Sequence, residues 1–192
     1  RKAVSGSRNL IRAMAVSSQG QTFVTLDAND RPLHRAIMWY DSRAEAQARK
    51  IQEGVRHRGG GKLAIQAIST ASKIMWLGKH LPGAMKKARR FLLLPDYFAY
   101  RLTGRAVIDS NTACTTGIYD TSSGRYSSQA MTAAGIRREQ VSSVQFPGSP
   151  IGYVAPRVRA DSNLNGDVLL VTGTNDQYAG ALGAGNCKPG IL

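Results

Sequence analysis

Cysteine and long apolar runs are the two features that this sequence most clearly lacks. Its two cysteines, Cys114 and Cys187, form neither a CxxC pair nor a disulfide framework, so a reducing, cytoplasmic location is predicted. No apolar stretch approaches the ~20 residues of a membrane-spanning helix, and the first residues carry no apolar core of a signal peptide. The three histidines have no metal-ligand spacing, and no metal site is predicted from them.

Acidic residues are also few: the chain has 12 of them and 26 basic residues, which gives a net charge of +14. Such an excess can indicate a nucleic-acid-binding domain. The basic residues are nevertheless scattered, with local clusters such as Lys86–Arg90, and no aromatic side chains alternate with them as single-strand binding requires. We therefore favour a solvated basic surface that can steer an anionic substrate.

The most informative stretch is a predicted strand–turn–helix near the C-terminal end. Val168–Val171 is a short apolar run that predicts a buried strand, and Gly173 offers a turn with positive φ. Asn175 and Asp176 stand where a helix would be capped, and Gln177–Ala184 would form that helix. Because glycine is costly inside a helix, its repetition predicts that another backbone packs closely there. The glycines concerned are Gly180, Gly183 and Gly185.

Asp176 is the candidate functional residue of this motif. It would lie at the carboxyl end of a strand, where open α/β sheets bind their ligands. A plain helix cap is the competing interpretation, and spacing alone favours the cap.

The N-terminal third predicts three short strands with tight connections. They are Ile11–Ser17, Thr22–Leu26 and Ala36–Trp39, and we expect them to pair as an antiparallel meander. Strands and helices then alternate irregularly along the chain, without internal repeats. The predicted fold class is α/β, with a mixed sheet and flanking helices.

Two later helices are predicted with defined ends. Thr70 would cap a helix that Pro82 stops. Its core-facing residues would be Ala71, Ile74, Leu77 and Leu81. Asp96 follows a proline and would cap a helix over Tyr97–Thr103, which Gly104 ends.

Four segments, in order along nearly the whole chain, match the motifs of one enzyme family. The first, AVSSQGQTFVTLDANDRPLHRAIMWYDSRA, is a strand–loop–strand–turn–strand segment that ends in a W-x-D-x-R pattern. The second and third are TASKIMWLGKHLP, similar to a T-x-x-K-x-x-W-L helix, and FLLLPDYFAYRLTG, similar to an L-x-x-D-Y-L-x-x-x-L-T-G segment. The fourth is the glycine-rich VTGTNDQYAGALGAG. Together they resemble the FGGY carbohydrate kinases, the family that includes xylulokinases and glycerol kinases.

This resemblance implies ATP-dependent phosphorylation of a hydroxyl on a sugar, such as the ketose xylulose, or on a polyol, with ATP and Mg²⁺ as cofactors of the full-length protein. The fold would be part of the two-domain, actin-like (ribonuclease-H-like) ATPase architecture, with both substrates in the cleft between the domains. Asp176 matches the family's general base, and Gln177 matches a neighbour that helps to bind a polyol. Phosphoryl transfer needs little covalent chemistry, so a carboxylate that orients the attacking hydroxyl and accepts its proton suffices.

The resemblance also assigns sugar contacts to the loop Ser18–Thr22, and within it to Gln19, Gly20 and Gln21. Xylulokinases typically carry Met-His in this loop, and glycerol kinases carry Arg-Glu. Gly20 and Gln21 depart from both patterns, so the resemblance does not determine which sugar is bound. Gln21 suits hydroxyl groups as a neutral donor and acceptor, with a solvated turn residue as the alternative.

Two further sugar contacts are implied close to the W-x-D-x-R pattern. Trp39 matches an aromatic that packs on the carbon face of the sugar, and a core tryptophan is the alternative. Asp41 fits the pattern as a sugar contact and could equally start a helix.

The resemblance places residues 1–192 in the central and C-terminal part of the N-terminal, sugar-binding domain. The family's opening phosphate strand would precede residue 1 and the ATP-binding domain would follow Leu192, so this part of the protein is expected to be inactive alone. Its partners would be a sugar or polyol and the missing parts of its own chain. The motifs do not determine whether it forms a homodimer. The alternatives are a non-catalytic sugar-binding protein on the same scaffold and a basic nucleic-acid-binding module, which the scattered charge disfavours.

Overall fold

Helices and strands alternate along the chain and confirm the predicted α/β class. The computed structural model describes residues 11–57, 63–162, 164, 166–188 and 190. No helix in these ranges is both long and apolar enough to cross a membrane. The strands are β1 (Ala13–Ala15), β2 (Phe23–Leu26), β3 (Arg90–Leu93), β4 (Val107–Asp109), β5 (Tyr119–Asp120), β6 (Arg125–Tyr126), β7 (Ser143–Gln145), β8 (Pro150–Tyr153) and β9 (Leu169–Val171). The helices are α1 (Glu45–His57), α2 (Thr70–His80), α3 (Pro82–Lys87), α4 (Leu94–Thr103), α5 (Ser110–Cys114), α6 (Ser128–Ala134), α7 (Pro156–Ser162) and α8 (Asp176–Gly183).

A mixed sheet joins the two ends of the described chain. Its strand order is β1-β9-β8, with β1 parallel to β9 and β9 antiparallel to β8. The apolar residues of β8 and β9 pack with α4 residues in one core cluster, which includes Ile151, Leu170 and Ala99. This sheet directs the segments that follow β1 and β9 to the same edge.

The predicted antiparallel meander is wrong for its first strand, and only a reduced antiparallel pairing connects its second and third segments. Strand β1 pairs with β9, and β2 pairs with β3, so that Phe23 lies opposite Leu93. The third predicted strand is reduced to a single bridge between Ile37 and Phe23. Phe23 exchanges two backbone hydrogen bonds with Ile37 and also lies opposite Leu93, so β2 lies between the Ile37 segment and β3. The first predicted strand is missing from this pairing because β1 pairs with β9 instead.

Helix α2 confirms most of its predicted pattern. Ala71, Ile74 and Leu77 are buried in the larger core cluster, as a 3.6-residue period requires. Leu81 is 43% exposed, contrary to prediction, because the helix ends at His80 and Leu81 leaves the helical conformation. The N-cap residue is Ser69 and not Thr70.

The glycines of the C-terminal motif have other roles than predicted. Gly173 does not have positive φ, but it touches β1 so closely that an added Cβ would lie 1.9 Å from the carbonyl oxygen of Val16. Outside their own helix and chain neighbours, Gly180 and Gly183 have no described atom within 4 Å of such a Cβ, so no close backbone packs on them among the described residues. Gly185 has a positive φ of 82° just after α8.

Asp96 is a core residue and not the predicted helix cap. The residue at the N-cap of α4 is Leu93, and the Asp96 side chain is 1% exposed. Its carboxyl group accepts a hydrogen bond from the hydroxyl of Ser142. Burial raises the pKa of Asp96 to about 8, although the Ser142 hydrogen bond acts in the opposite direction.

We expect Asp96 to make stability fall as the pH rises. Between about pH 4 and pH 8 the folded state keeps a proton on Asp96 that the unfolded state has lost, so the free energy of unfolding decreases with pH by up to about 1.4 kcal/mol per unit. Asp96→Asn removes this titration. The free energy of unfolding, measured by urea denaturation at pH 5.5, 6.5 and 7.5, should therefore fall less steeply with pH for Asp96→Asn than for the wild type. Asp120→Asn is the control, because hydrogen bonds from Ser122 and Ser123 lower the pKa of Asp120 and keep it ionised over this range. The same pH dependence of the free energy of unfolding in the wild type and in Asp96→Asn would contradict the expectation.

Candidate active site

The segments that follow β1 and β9 meet at one edge of the mixed sheet. Ser18 and Asn175 form a parallel bridge there, and the backbone N–H of Asp176 donates to the carbonyl of Ser18 at 3.1 Å. Carboxyl ends of adjacent parallel strands are the usual ligand position in α/β sheets. The contact between Gly173 and Val16 permits this close approach, because any side chain at position 173 would push β1 away.

A cleft of about 330 Å³ lies at this edge. It falls within the usual range for small-ligand sites, ~300–1,000 Å³. A groove of about 470 Å³ between α2, α3 and α6 has no carboxylate in its lining. Another of about 380 Å³ is lined by Glu45 and Glu53, but by none of the residues that the sequence nominated. The residues that line the smaller cleft are Gln19, Gly20, Gln21, Trp39, Ile68, Cys114, Thr115, Asn175, Asp176, Gln177 and Tyr178.

The structure thus brings Asp176 together with five of the six residues that the sequence nominated as sugar contacts. Four of the five come from the N-terminal part of the chain: Gln19, Gly20, Gln21 and Trp39. The fifth is Gln177, which follows Asp176. Asp41 is not among the residues that line the cleft.

Asp176 is exposed at the first position of α8. The N-cap residue is Asn175, whose side-chain oxygen accepts the N–H of Gln177 at 3.0 Å, so Asp176 is not itself the cap. One carboxylate oxygen of Asp176 accepts the same N–H at 2.9 Å. Asp176 forms no ion pair with any other described residue, which leaves its carboxylate accessible to a ligand in the cleft.

The loop between β1 and β2 is shaped by Thr115. A Cβ added to Gly20 would lie 2.6 Å from the Thr115 hydroxyl oxygen, so a side chain at position 20 would displace Thr115. The same hydroxyl accepts the backbone N–H of Gln21 at 3.3 Å. Gln21 has a φ of 55°, a left-handed conformation that is uncommon for a residue with a side chain.

Trp39 and Asp41 occupy different environments. Trp39 is 44% exposed and lines the cleft, so the alternative of a core tryptophan is wrong. Asp41 is paired with Arg43 at 2.6 Å and accepts the backbone N–H of Arg43 at the start of the turn that precedes α1. The hydrogen bond from the Arg43 side chain lowers the pKa of Asp41 below its usual range.

Several residues of the cleft were missed by sequence reasoning. Ile68, Cys114 and Thr115 belong to no motif that points to a sugar, and they reach the cleft only through the tertiary fold. Burial raises the pKa of the Cys114 thiol, whose Sγ donates to the carbonyl of Asn111 at 2.7 Å. Lys73 lies behind the cleft. The sequence could have indicated its burial, because its spacing of three residues from Thr70 and four from Leu77 places it on the buried face of α2.

Comparison with known proteins agrees with the four sequence motifs. The model of the N-terminal domain of the FGGY family of carbohydrate kinases matches residues 2–183. A xylulose kinase from Haemophilus influenzae is 28% identical over 96% of this chain and 39% of its own length. An autoinducer-2 kinase from Salmonella choleraesuis is 26% identical over 93% of this chain and 34% of its own length.

Solved structures give the same result for the fold. The crystal structure of a xyloylose kinase from Brucella ovis superposes with a TM-score of 0.91 at 26% identity, covering 99% of this chain and 39% of the other. The present chain therefore spans about two fifths or less of the length of these relatives. Its α/β fold is part of the actin-like ATPase architecture of such sugar kinases. The chain belongs to the FGGY family of carbohydrate kinases.

Proposed function

We propose that this chain forms the sugar-binding part of a kinase that transfers the γ-phosphoryl group of ATP to a hydroxyl of a ketose, such as xylulose, or of a polyol. The observation that carries the proposal is the accessible carboxylate of Asp176, in one cleft with Gln21, Trp39 and Gln177. Amide side chains can donate to and accept from hydroxyl groups, and an indole ring can pack on the carbon face of a sugar.

Asp176 would act as the general base. In the proposed step the substrate hydroxyl oxygen forms a bond to the γ-phosphorus, and the bond from that phosphorus to the bridging oxygen breaks, so that ADP leaves with the electron pair. The hydroxyl proton passes to the Asp176 carboxylate. Because such transition states are loose, orientation of the hydroxyl by Asp176 matters more than its strength as a base.

The described residues do not fit a site for ATP and Mg²⁺. The cleft lining has one carboxylate and neither lysine nor arginine, and no group of three His, Cys, Asp or Glu in the described ranges could hold a metal ion. We therefore propose that ATP and its metal bind to parts of the protein outside residues 1–192, which would be the central and C-terminal part of the N-terminal domain. The relatives, of which this chain spans 34–39%, are long enough to include such parts.

The lining of the cleft predicts a preference for neutral substrates. Asp176 repels a carboxylate, and no lysine or arginine lines the cleft to balance a negative charge. In a coupled ADP-release assay of the whole protein, kcat/KM for neutral pentuloses, hexuloses or polyols should exceed that for sugar acids at least tenfold. Turnover of none of these compounds would refute the kinase, and equal turnover of sugar acids would refute the assigned cleft.

A further inference from the structure

Lys73 is a buried charged residue that the proposed reaction does not explain. It lies on α2, and its side chain has no exposure to solvent. Its Nζ donates to the backbone carbonyl of Gln21 at 3.0 Å and to that of Met38 at 2.8 Å. Desolvation lowers the pKa of Lys73 to about 8, while the nearby charge of Asp41 acts in the opposite direction. Burial of an ammonium group is unfavourable, and these two hydrogen bonds offset part of its cost.

The two carbonyls belong to two separate segments that line the cleft. Gln21 is part of the loop after β1, and Met38 directly precedes Trp39 in the segment before α1. Thr70, nearly one turn before Lys73 on α2, donates its hydroxyl to the same Gln21 carbonyl at 3.3 Å. Helix α2 therefore binds the backbone of both segments that line the cleft.

The conformation of Gln21 indicates that this arrangement is imposed. Its φ of 55° is unfavourable for a residue with a Cβ and persists only where the surroundings determine it. The Thr115 hydroxyl binds the N–H of Gln21 on one side, and Lys73 binds its carbonyl on the other. The segment of Trp39 is tied to the same loop, because the Trp39 N–H donates to the hydroxyl of Thr22 at 2.8 Å.

We propose that Lys73 is a positioning residue whose ammonium group sets the spacing between Gln21 and Trp39, so that the sugar is bound between them. The proposal rests on the proposed function, because it assigns the sugar to this cleft. An ammonium group has three donors and can bind both carbonyls at once, and its charge makes both hydrogen bonds stronger than those of a neutral donor. Lys73 touches neither the sugar nor the reacting atoms in this scheme; it acts through Gln21 and Trp39.

The first test is a comparison of Lys73→Met with Lys79→Met in the whole protein. Methionine retains the length and packing of lysine but has no donor, and Lys79 is an exposed residue on the same helix. We expect Lys73→Met to raise the KM for the sugar at least tenfold with the KM for ATP changed less than twofold, and Lys79→Met to change neither. An unchanged sugar KM would overturn the proposal. So would a loss of activity that is fully explained by a smaller fraction of folded protein.

The second test is the pH dependence of sugar binding. As the pH rises from 7 to 9 the wild-type ammonium group loses its proton and becomes a weaker donor, so the sugar KM should rise. The other charged groups that act on Lys73 are Asp41 and Arg43, and neither titrates here, because their mutual hydrogen bond lowers the pKa of Asp41 and raises that of Arg43. The sugar KM of Lys73→Met should be high and independent of pH over this range. Parallel pH profiles for the two proteins would overturn the proposal.

A third measurement does not depend on turnover. Hydrogen exchange of the whole protein should be faster in Lys73→Met within residues 18–22 and 37–41 than in the wild type, and unchanged in α6. If Lys73→Met does not fold, Lys73→Gln replaces it; glutamine keeps two donors but no charge, so the increases in sugar KM and in exchange should be smaller, and the sugar KM should still be independent of pH from 7 to 9. Unchanged exchange in the two segments, or a uniform increase along the chain, would show a merely structural lysine. If the wild type phosphorylates no sugar, the proposed function fails, while this exchange experiment still decides whether Lys73 holds the two segments.

Discussion

Replacement of Asp176 with asparagine should lower kcat for sugar phosphorylation by roughly 10²- to 10⁴-fold, the usual contribution of a general base. Asparagine has the shape of aspartate but cannot accept the proton of the attacking hydroxyl. The KM for the sugar should change little, because the amide can still bind a hydroxyl group. Steady-state kinetics of the whole protein with its best sugar measures both quantities.

Asp167→Asn is the matched control for this substitution. Asp167 is an exposed aspartate paired with Arg159 at 2.9 Å and lies outside the cleft, so its replacement should leave kcat unchanged. A fall in kcat of less than tenfold for Asp176→Asn would refute the assigned base. Sugar affinity retained by both variants, without turnover by the wild type, would instead favour the non-catalytic sugar-binding protein.

Gly173→Ala should destabilise the protein strongly, by about 3 kcal/mol or more. The new Cβ would lie 1.9 Å from the carbonyl oxygen of Val16 and 2.6 Å from its carbonyl carbon, and both are backbone atoms that no rotamer change can move. Strand β1 would have to move away from β9, with loss of the bridge between Ser18 and Asn175. Urea denaturation measures the loss, and sugar binding should weaken with it.

Gly180→Ala is the control, because it makes the same chemical change in α8 where no described atom lies within 4 Å. Alanine favours a helix over glycine, so this variant should gain about 0.5–1 kcal/mol. A Gly173→Ala protein that is as stable as the wild type would contradict the close approach of β1 to Gly173.

Local patterns predicted the parts of this molecule that depend on neighbours in sequence. The strand, the capping residues and the helix around Asp176 lie within one short stretch, and the family motif assigned its role. The buried face of α2 was predicted for the same reason, since a helical period repeats within a few residues. These features need no knowledge of distant parts of the chain.

The wrong predictions with the largest consequences concern contacts between distant residues, whereas the cap at Ser69 and the exposed Leu81 are local errors at the ends of α2. The first strand of the meander was misplaced because β1 pairs with β9, far away in sequence. Asp96 looked like a cap from the proline before it, but Ser142, 46 residues later, makes it a core residue. Thr115, the residue after α5, shapes the loop at Gly20 across a separation that no local pattern encodes.

The parallel pairing of Ala13 with Leu169 also fixes when the cleft can form during synthesis. Strand β1 leaves the ribosome long before β9 has been translated, and pairing between such distant segments is slow to form. A nascent chain that ends before Leu169 has neither Asp176 nor the partner that holds Ser18. Under the proposed function, a sugar can therefore stabilise this cleft only after β9 and Asp176 have been made.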